Sequence, residues 1–278
     1  MTPAIPPELI GAIIHFLHDD QISLRNCSIT TKSWSYWSRA HLFNEICLDP
    51  LPPNAQNKLI RLQACLVRSP FLTRQIRCVK LRNFLGDAQI SLGIAAPFSR
   101  ILESLTHVSE LQLQASSSIF SDSIRDAVCT LMKRDSLKYI AIRNAFLKPL
   151  YFIQLLSLSP NLVGLTLYDI RLHGPPWDNE SVPLPRNPPR RDIKKLHIRG
   201  RIDSALVEWT TGSDSFLNMN ALSHLQLSPL CYSGLCLPLV RGFASVLQHL
   251  EVHVYDQPSC EYTSLFYRMN HAFSKTGC

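Results

Sequence analysis

The sequence has no long hydrophobic run. No stretch reaches the roughly 18 apolar residues that a membrane-spanning helix requires, which argues against a helical membrane protein. The first residues carry no basic segment followed by an apolar block, so a secretory signal peptide is not expected. Glycine is scarce, 10 among 278 residues, and the glycine-built phosphate cradles are missing. There is no G-x-x-x-x-G-K-[ST] and no G-x-G-x-x-G after a strand. The nucleophile elbow G-x-S-x-G and the zinc-protease motif H-E-x-x-H are missing too. The nine cysteines (Cys27, Cys47, Cys65, Cys78, Cys129, Cys231, Cys236, Cys260 and Cys278) are odd in number and scattered. None forms a C-x2-C pair or stands at zinc-finger spacing to histidine. They read as reduced, small, buried hydrophobes, which suits a cytoplasmic or nuclear protein. These absences point away from an enzyme, so no catalytic residue, metal or cofactor is assigned.

Three small constellations remain. His15 and His18 stand at i and i+3 near the N-terminus, without a further ligand at useful spacing, and suit solvated helix positions. His249 and His253 flank Glu251 in an alternating segment, so all three share one face; a metal pair is conceivable from that spacing, but the segment reads as an ordinary repeat strand. Asp19 and Asp20 adjoin in sequence and suit the end of a helix, not a catalytic pair.

What the chain does contain is apolar residues (46%) and an excess of positive charge, +7. The first 48 residues hold Arg25, Lys32 and Arg39 against Glu8, Asp19, Asp20 and Glu45, a net of −1, which leaves +8 for the rest. A sizeable core is therefore expected, and an acidic partner for the second part of the chain.

The strongest pattern is apolar-x-x-apolar-x-apolar. It occurs as IRCVKL at 76, VSELQL at 108, LKYIAI at 137, LVGLTL at 162, IKKLHI at 193, LSHLQL at 222 and LQHLEV at 247, with FNEICL at 43 a candidate eighth. The seven are 25 to 32 residues apart. Between them, NAQNKLIRLQACLVRS, PFSRILESL from Pro97, SDSIRDAVCTLMKR capped by Ser121 or Asp122, and PLYFIQLLSL read as helices. Turn residues follow several strands: Asn83, Asn144, Asp169 and Gly200, each suited to local hydrogen bonding or positive φ. Seven matches at near-constant spacing resemble the leucine-rich repeat, which implies an α/β solenoid of about seven strand–helix units. The family's asparagine, three residues after the third apolar position, is replaced by Phe84, Ser116, Ala145, Ile170, Arg201, Leu230 and Tyr255. The solenoid is therefore expected to be irregular.

One segment breaks the rhythm. GPPWDNESVPLPRNPPRR, 174–191, holds six prolines and cannot be helical. It is expected to be a loop insertion; its Pro185-x-x-Pro188 beside Arg186, Arg190 and Arg191 also fits an SH3-type groove.

The N-terminal IPPELIGAIIHFLHDD has Leu9, Ile10, Ile13, Ile14 and Leu17 on one side of a helix that starts at Pro6 and Pro7. Leu24, Cys27, Thr31, Trp34 and Trp37 follow near helical spacing, then HLFNEICL. Residues 5–48 resemble the F-box, a three-helix motif. Ile5 and Pro6 match its opening Leu-Pro; Glu8, Leu9, Ile10, Ile13, Ile14 and Leu17 match its first helix; Leu24, Cys27, Ser28 and Trp34 match its second part. HLFNEICL looks like the link into the repeats of short fungal F-box proteins. Ile5 for Leu, and Thr31 where many members have Cys, are the departures. The resemblance implies two units, an F-box over 1–48 and a leucine-rich-repeat domain over 49–278. It implies a substrate receptor of a cullin–RING (SCF-type) ubiquitin ligase. Docking on a Skp-type adaptor, and through it a cullin, would use Ile5, Pro6, Leu9, Ile10, Ile13, Ile14, Leu17, Leu24 and Trp34. A cap sealing the first strand of the solenoid is the competing use of that stripe.

Strand alternation turns the second and third apolar residues of each repeat into the core, and the residues before, between and after them to the other face. Those 21 positions carry five Lys/Arg against two Glu, with four histidines. Lys80, Arg82, Tyr139, Arg143, Tyr168, Lys195, His197 and Arg199 are the candidates for holding an acidic or phosphorylated protein substrate. The alternative is a repeat scaffold that binds an acidic protein or nucleic acid with no ligase. Nucleic acid is the weaker of those, since only two aromatics lie among the charges and no base-reading motif is present. No membrane partner is expected. At the C-terminus, SCEYTSLFYRMNHAFSK is helix-like. It is expected to fold back through Leu265, Phe266, Met269 and Phe273 as an end cap, or to belong to a shortened member of a longer family.

Overall fold

The computed structural model describes residues 5–83, 92–114, 122–147, 149–172, 191–200, 207, 210, 217–228, 239–255 and 262–267. The chain begins with three short helices, α1 (Pro7–Phe16), α2 (Gln21–Cys27) and α3 (Lys32–Leu42). Pro6 and Pro7 start α1, where a missing N–H breaks no helical bond. Asp20 starts α2: its carboxylate accepts from the backbone N–H of Ile22 and Ser23 at 3.0 Å each and from the Ser23 hydroxyl at 2.6 Å. The Ser23 hydroxyl and these N–H groups hold the Asp20 carboxyl below its ordinary value. Asp20 therefore does not end the first helix as expected; α1 stops at Phe16, and Asp20 caps the next one. Thr31 caps α3, so Leu24 and Trp34 belong to different helices. Ile10, Ile14 and Leu24 form the centre of this unit, with Leu17, Cys27, Trp34, Trp37 and Leu42 packed around it. Gly11 admits the Trp37 indole, which would stand 3.1 Å from a Cβ there.

The rest is a mixed α/β body. Its strands are β1 (Glu45–Leu48), β2 (Cys78–Arg82), β3 (Glu110–Gln114), β4 (Tyr139–Arg143), β5 (Phe146–Leu147), β6 (Gly164–Tyr168), β7 (Arg171–Leu172), β8 (Arg191–Asp192), β9 (Lys195–Arg199), β10 (Leu217–Asn218), β11 (His224–Leu227), β12 (His249–Tyr255) and β13 (Tyr262–Tyr267). One open sheet takes them in the order β1-β2-β3-β4-β6-β9-β11-β12-β13, parallel throughout except for the final pair. β5 pairs with β7 and β8 with β10 in two small separate ladders. The helices are α4 (Ala55–Arg68), α5 (Pro70–Gln75), α6 (Leu92–Ser104), α7 (Asp122–Met132) and α8 (Pro149–Ser157), followed by a 3-10 turn at Met219–Ala221. No helix among the described residues is long and apolar enough to cross a membrane.

Each strand neighbours the previous one of the main sheet, with no reversal of order. Parallel crossovers are right-handed, so a one-way order lays the described connecting helices on the same face. That face is the core. Val79 and Leu81, Leu111 and Leu113, Ile140 and Ile142, Leu165 and Leu167, and Leu196 and Ile198 point into it, against Leu59, Phe98, Ile101, Leu102, Val128, Leu131, Phe152 and Leu156. The first apolar residue of six of the seven motifs (Ile76, Val108, Leu137, Leu162, Ile193, Leu222) is buried just before its strand, and Leu247 of the seventh is half-buried. Arg134 ties successive helices together by donating to the carbonyls of Leu105, of Glu103 at 2.7 Å and of Leu102 at 3.4 Å, which lie at the end of α6.

The turns also match their residues. Asn83, Asn144 and Asp169 have φ of 55°, 50° and 48°, and Gly200 has φ of 81°. Asn and Asp tolerate this left-handed region, and glycine adopts it without strain. At Ala145 and Ile170, where an asparagine ladder would stand, the residues are buried and apolar.

Two expectations are corrected. α6 starts at Leu92, not Pro97; Pro97 lies inside it, on the buried side. Residues 262–267 form a strand antiparallel to β12, so the helix-like reading of SCEYTSLFYRMNHAFSK fails there, and Leu265 and Phe266 lie in β13. Alternating Tyr, Thr and Ser favour extended backbone, and β12 supplies an edge to pair with. Met269 and Phe273 lie outside the described residues, as do Ser121 and the proline-rich segment 174–191 apart from Arg191.

Candidate functional site

Two surfaces are left over once the core is filled. The first is the outer side of α1. Ile5, Leu9, Ile13 and Phe16 are 49%, 56%, 42% and 85% exposed. They recur at intervals of four, four and three, which makes one stripe on a helix and its entry. Pro6 is exposed beside them. Ile10, Ile14 and Leu24 are 5%, 0% and 1% exposed. These three are thus core residues of the helical unit and cannot be reached by a partner, contrary to the sequence-based assignment. Leu17 and Trp34 are half-buried against that core. The α1 stripe of the sequence splits into two faces because leucine and isoleucine at both i and i+1 cover more than one side of the helix. Phe16, Ile22 (72% exposed) and Ile29 (83%) are also exposed and were not among the assigned residues. Phe16 was legible as Leu9 plus seven.

The second surface is the sheet face opposite the helices. The register aligns its residues in columns across the strands. Cys78, Glu110, Tyr139, Gly164, Lys195, His224 and His249 are successive partners, as are Lys80, Gln112, Ala141, Thr166, His197, Gln226 and Glu251. Arg82, Gln114, Arg143, Tyr168 and Arg199 form the third column. β1 joins the same face: Glu45 pairs with Cys78 and Cys47 with Lys80. All eight assigned residues of this face therefore lie where alternation put them.

Their environments differ. Lys80 is committed: its Nζ lies 2.6 Å from Glu45, an acid that the seven-strand count left out. Arg82 sits on the strand beside β1, and Asn83 next to it donates to Asp49 at 2.9 Å. Glu110 accepts from Gln112 at 2.7 Å. On the far side, His253 is 2.6 Å from Glu251 and 3.2 Å from Gln226. Between these flanks, Arg199 lies over the Tyr168 ring at 5.4 Å, a cation–π contact. His197 faces the Ser228 hydroxyl at 3.5 Å. Burial, then the positive charge of Arg199, pulls the His197 imidazole below its ordinary value, so the neutral form is favoured. His224 shifts the same way through burial and Lys195. Cys78 is pushed up to about 12 by burial and by Glu110 and Glu45, so its thiol is inert.

A trough of about 360 Å³ crosses this face from β3 to β12. The small residues Ala141, Gly164 and Thr166 line it together with Tyr139, Lys195 and His197. His224, Gln226, His249 and Glu251 continue the trough; they belong to the 21 outward positions of the sequence but were not among the assigned residues. A second groove, of about 670 Å³, separates the α2–α3 turn from α5, between Ile29, Tyr36 and Phe71. No family model, curated protein or solved structure matches this chain.

Proposed function

We propose that the chain is a non-catalytic substrate receptor of an SCF-type ubiquitin ligase. In this reading residues 1–48 are an F-box that docks on a Skp-type adaptor and through it a cullin. Residues 49–278 are an irregular leucine-rich-repeat solenoid whose open face holds an acidic or phosphorylated protein substrate. A cytoplasmic or nuclear location accompanies that role.

The observation that carries the reading is the exposed stripe Ile5, Leu9, Ile13 and Phe16 on a helix whose other side, Ile10 and Ile14, already fills its own core. A cap that sealed the first strand would bury this stripe, so its exposure favours docking over capping. Covering one large aliphatic or aromatic side chain stabilises a complex by about 1.5–3 kcal/mol, so four supply a substantial anchor. The docking set is revised accordingly to Ile5, Pro6, Leu9, Ile13 and Phe16, with Leu17 and Trp34 at its border. The alternative, a repeat scaffold for an acidic protein with no ligase, keeps the basic face and leaves the stripe without a role.

The test is capture of a Skp-type adaptor by the full chain, followed by affinity purification with cullin neddylation blocked and identification of what accumulates. Adaptor and cullin together with one enriched acidic protein is the expected result. Capture of the acidic protein with no adaptor favours the scaffold.

A further inference from the structure

We propose that the open sheet face carries a seat for one phosphorylated side chain of a partner protein, centred on Thr166. This rests on the reading of that face as the substrate platform and narrows it to one position and one chemistry.

The register makes the argument. Thr166 pairs with Ala141 on one side and His197 on the other, and its neighbours along the strand on the same face are Gly164 and Tyr168. Its four diagonal neighbours are then Tyr139, Arg143, Lys195 and Arg199, each about 8 Å away by strand spacing and rise. Three of the four corners are permanent cations around a floor of small residues. A cation cluster with no counter-charge is costly to keep.

No ion pair among the described residues brings a carboxylate to Arg143, Lys195 or Arg199. The two carboxylates that border the trough face other partners: Glu110 accepts from Gln112, and Glu251 lies 2.6 Å from His253. Tyr168 orients the Arg199 guanidinium through its ring. The Thr166 hydroxyl and the His197 imidazole, which burial and then Arg199 hold toward its neutral form, add two uncharged donors at the centre. A carboxylate brings one charge to three cations. A phosphomonoester brings about −1.5 to −2 and three acceptor oxygens, which match two guanidinium forks and an ammonium. The opposite flank cannot serve, because Lys80 is neutralised by Glu45.

The test is fluorescence polarisation of the full chain with two fluorescent degenerate peptide pools, one with a fixed central phosphothreonine and one with threonine there. A mixed-sequence single-stranded oligonucleotide is the third probe. The phosphorylated pool should bind about tenfold or more tightly than its unphosphorylated match, given the strength of charge-assisted hydrogen bonds. Thr166→Glu should remove that preference. So should Lys195→Ala with Arg199→Ala, which alters only exposed side chains and leaves the fold intact, whereas Lys80→Ala should retain it. Equal binding of the two pools, equal loss in Lys80→Ala, or tighter binding of the oligonucleotide would overturn the seat. Adaptor capture by the same variants is read separately. Capture with no phosphopeptide preference overturns the seat alone, and preference with no capture overturns the ligase reading alone.

Discussion

The Tyr139 ring lies over Gly164 on the adjacent strand, so close that a Cβ on Gly164 would stand 2.6 Å from the ring's Cδ1. The glycine is what lets the ring fold down against the sheet. Gly164→Ala should therefore cost about 1–3 kcal/mol through overpacking. In Tyr139→Ala the same substitution should be nearly neutral or stabilising, because a strand prefers alanine to glycine. Chemical denaturation of the four proteins in a double-mutant cycle reads the difference. Simple additivity would mean that the ring does not rest on the glycine.

Ile10 and Leu9 adjoin in α1 and should behave oppositely. Ile10→Asp places a carboxylate in the centre of the small helical core, and it should destabilise that unit by about 3 kcal/mol or more. Leu9→Asp alters an exposed position, so stability should change by roughly 0.5 kcal/mol or less. Thermal melts followed by tryptophan fluorescence distinguish the two, since Trp34 and Trp37 pack on that core.

Acid should destabilise the protein before its carboxylates titrate. His41, His197 and His224 all have lowered values in the folded chain, chiefly from burial. Where the folded value lies below the unfolded 6.5, the unfolded chain takes up the proton first. Stability is thus full above about 6.5 and falls as the pH drops through the folded values. Denaturant midpoints measured from pH 7.5 to 5 should decline, and His197→Gln should flatten that decline. An unchanged slope in His197→Gln would mean the ring is as easily protonated in the fold as outside it.

Cys78 should resist a thiol reagent at pH 8, because it is buried and its thiol is pushed to about 12. Cys47, on the same face and exposed, should react before it. Mass spectrometry of partially labelled protein gives the order, and early labelling of Cys78 would show that β2 opens readily.

Much of this arrangement was legible in the sequence because strand alternation has a fixed period. Val79 and Leu81 could point inward only if Lys80 pointed outward, and the same holds for every later motif. The positive-φ turns at Asn83, Asn144, Asp169 and Gly200 were legible for a similar reason, since few residues accept that backbone. The division of α1 was not. Five aliphatics within nine residues exceed one helical face, and only the packing of α2 and α3 decides that Ile10 and Ile14 go inside while Leu9 and Ile13 stay out. The Lys80–Glu45 pair was hidden because the two residues are 35 apart in sequence and β1 was only a candidate strand. The C-terminal strand was misread because YTSLFY can alternate as well as spiral, and the available edge of β12 decided the outcome.

The central claim is that the exposed side of α1 is a docking surface for a Skp-type adaptor. The most direct measurement is a calorimetric titration of the purified chain with such an adaptor, repeated with Leu9→Asp and Phe16→Asp. The account predicts a one-to-one complex for the unaltered chain and a loss of about 2 kcal/mol or more in each variant, with unchanged melting curves. No heat of binding with the unaltered chain, or undiminished affinity in both variants, would contradict it.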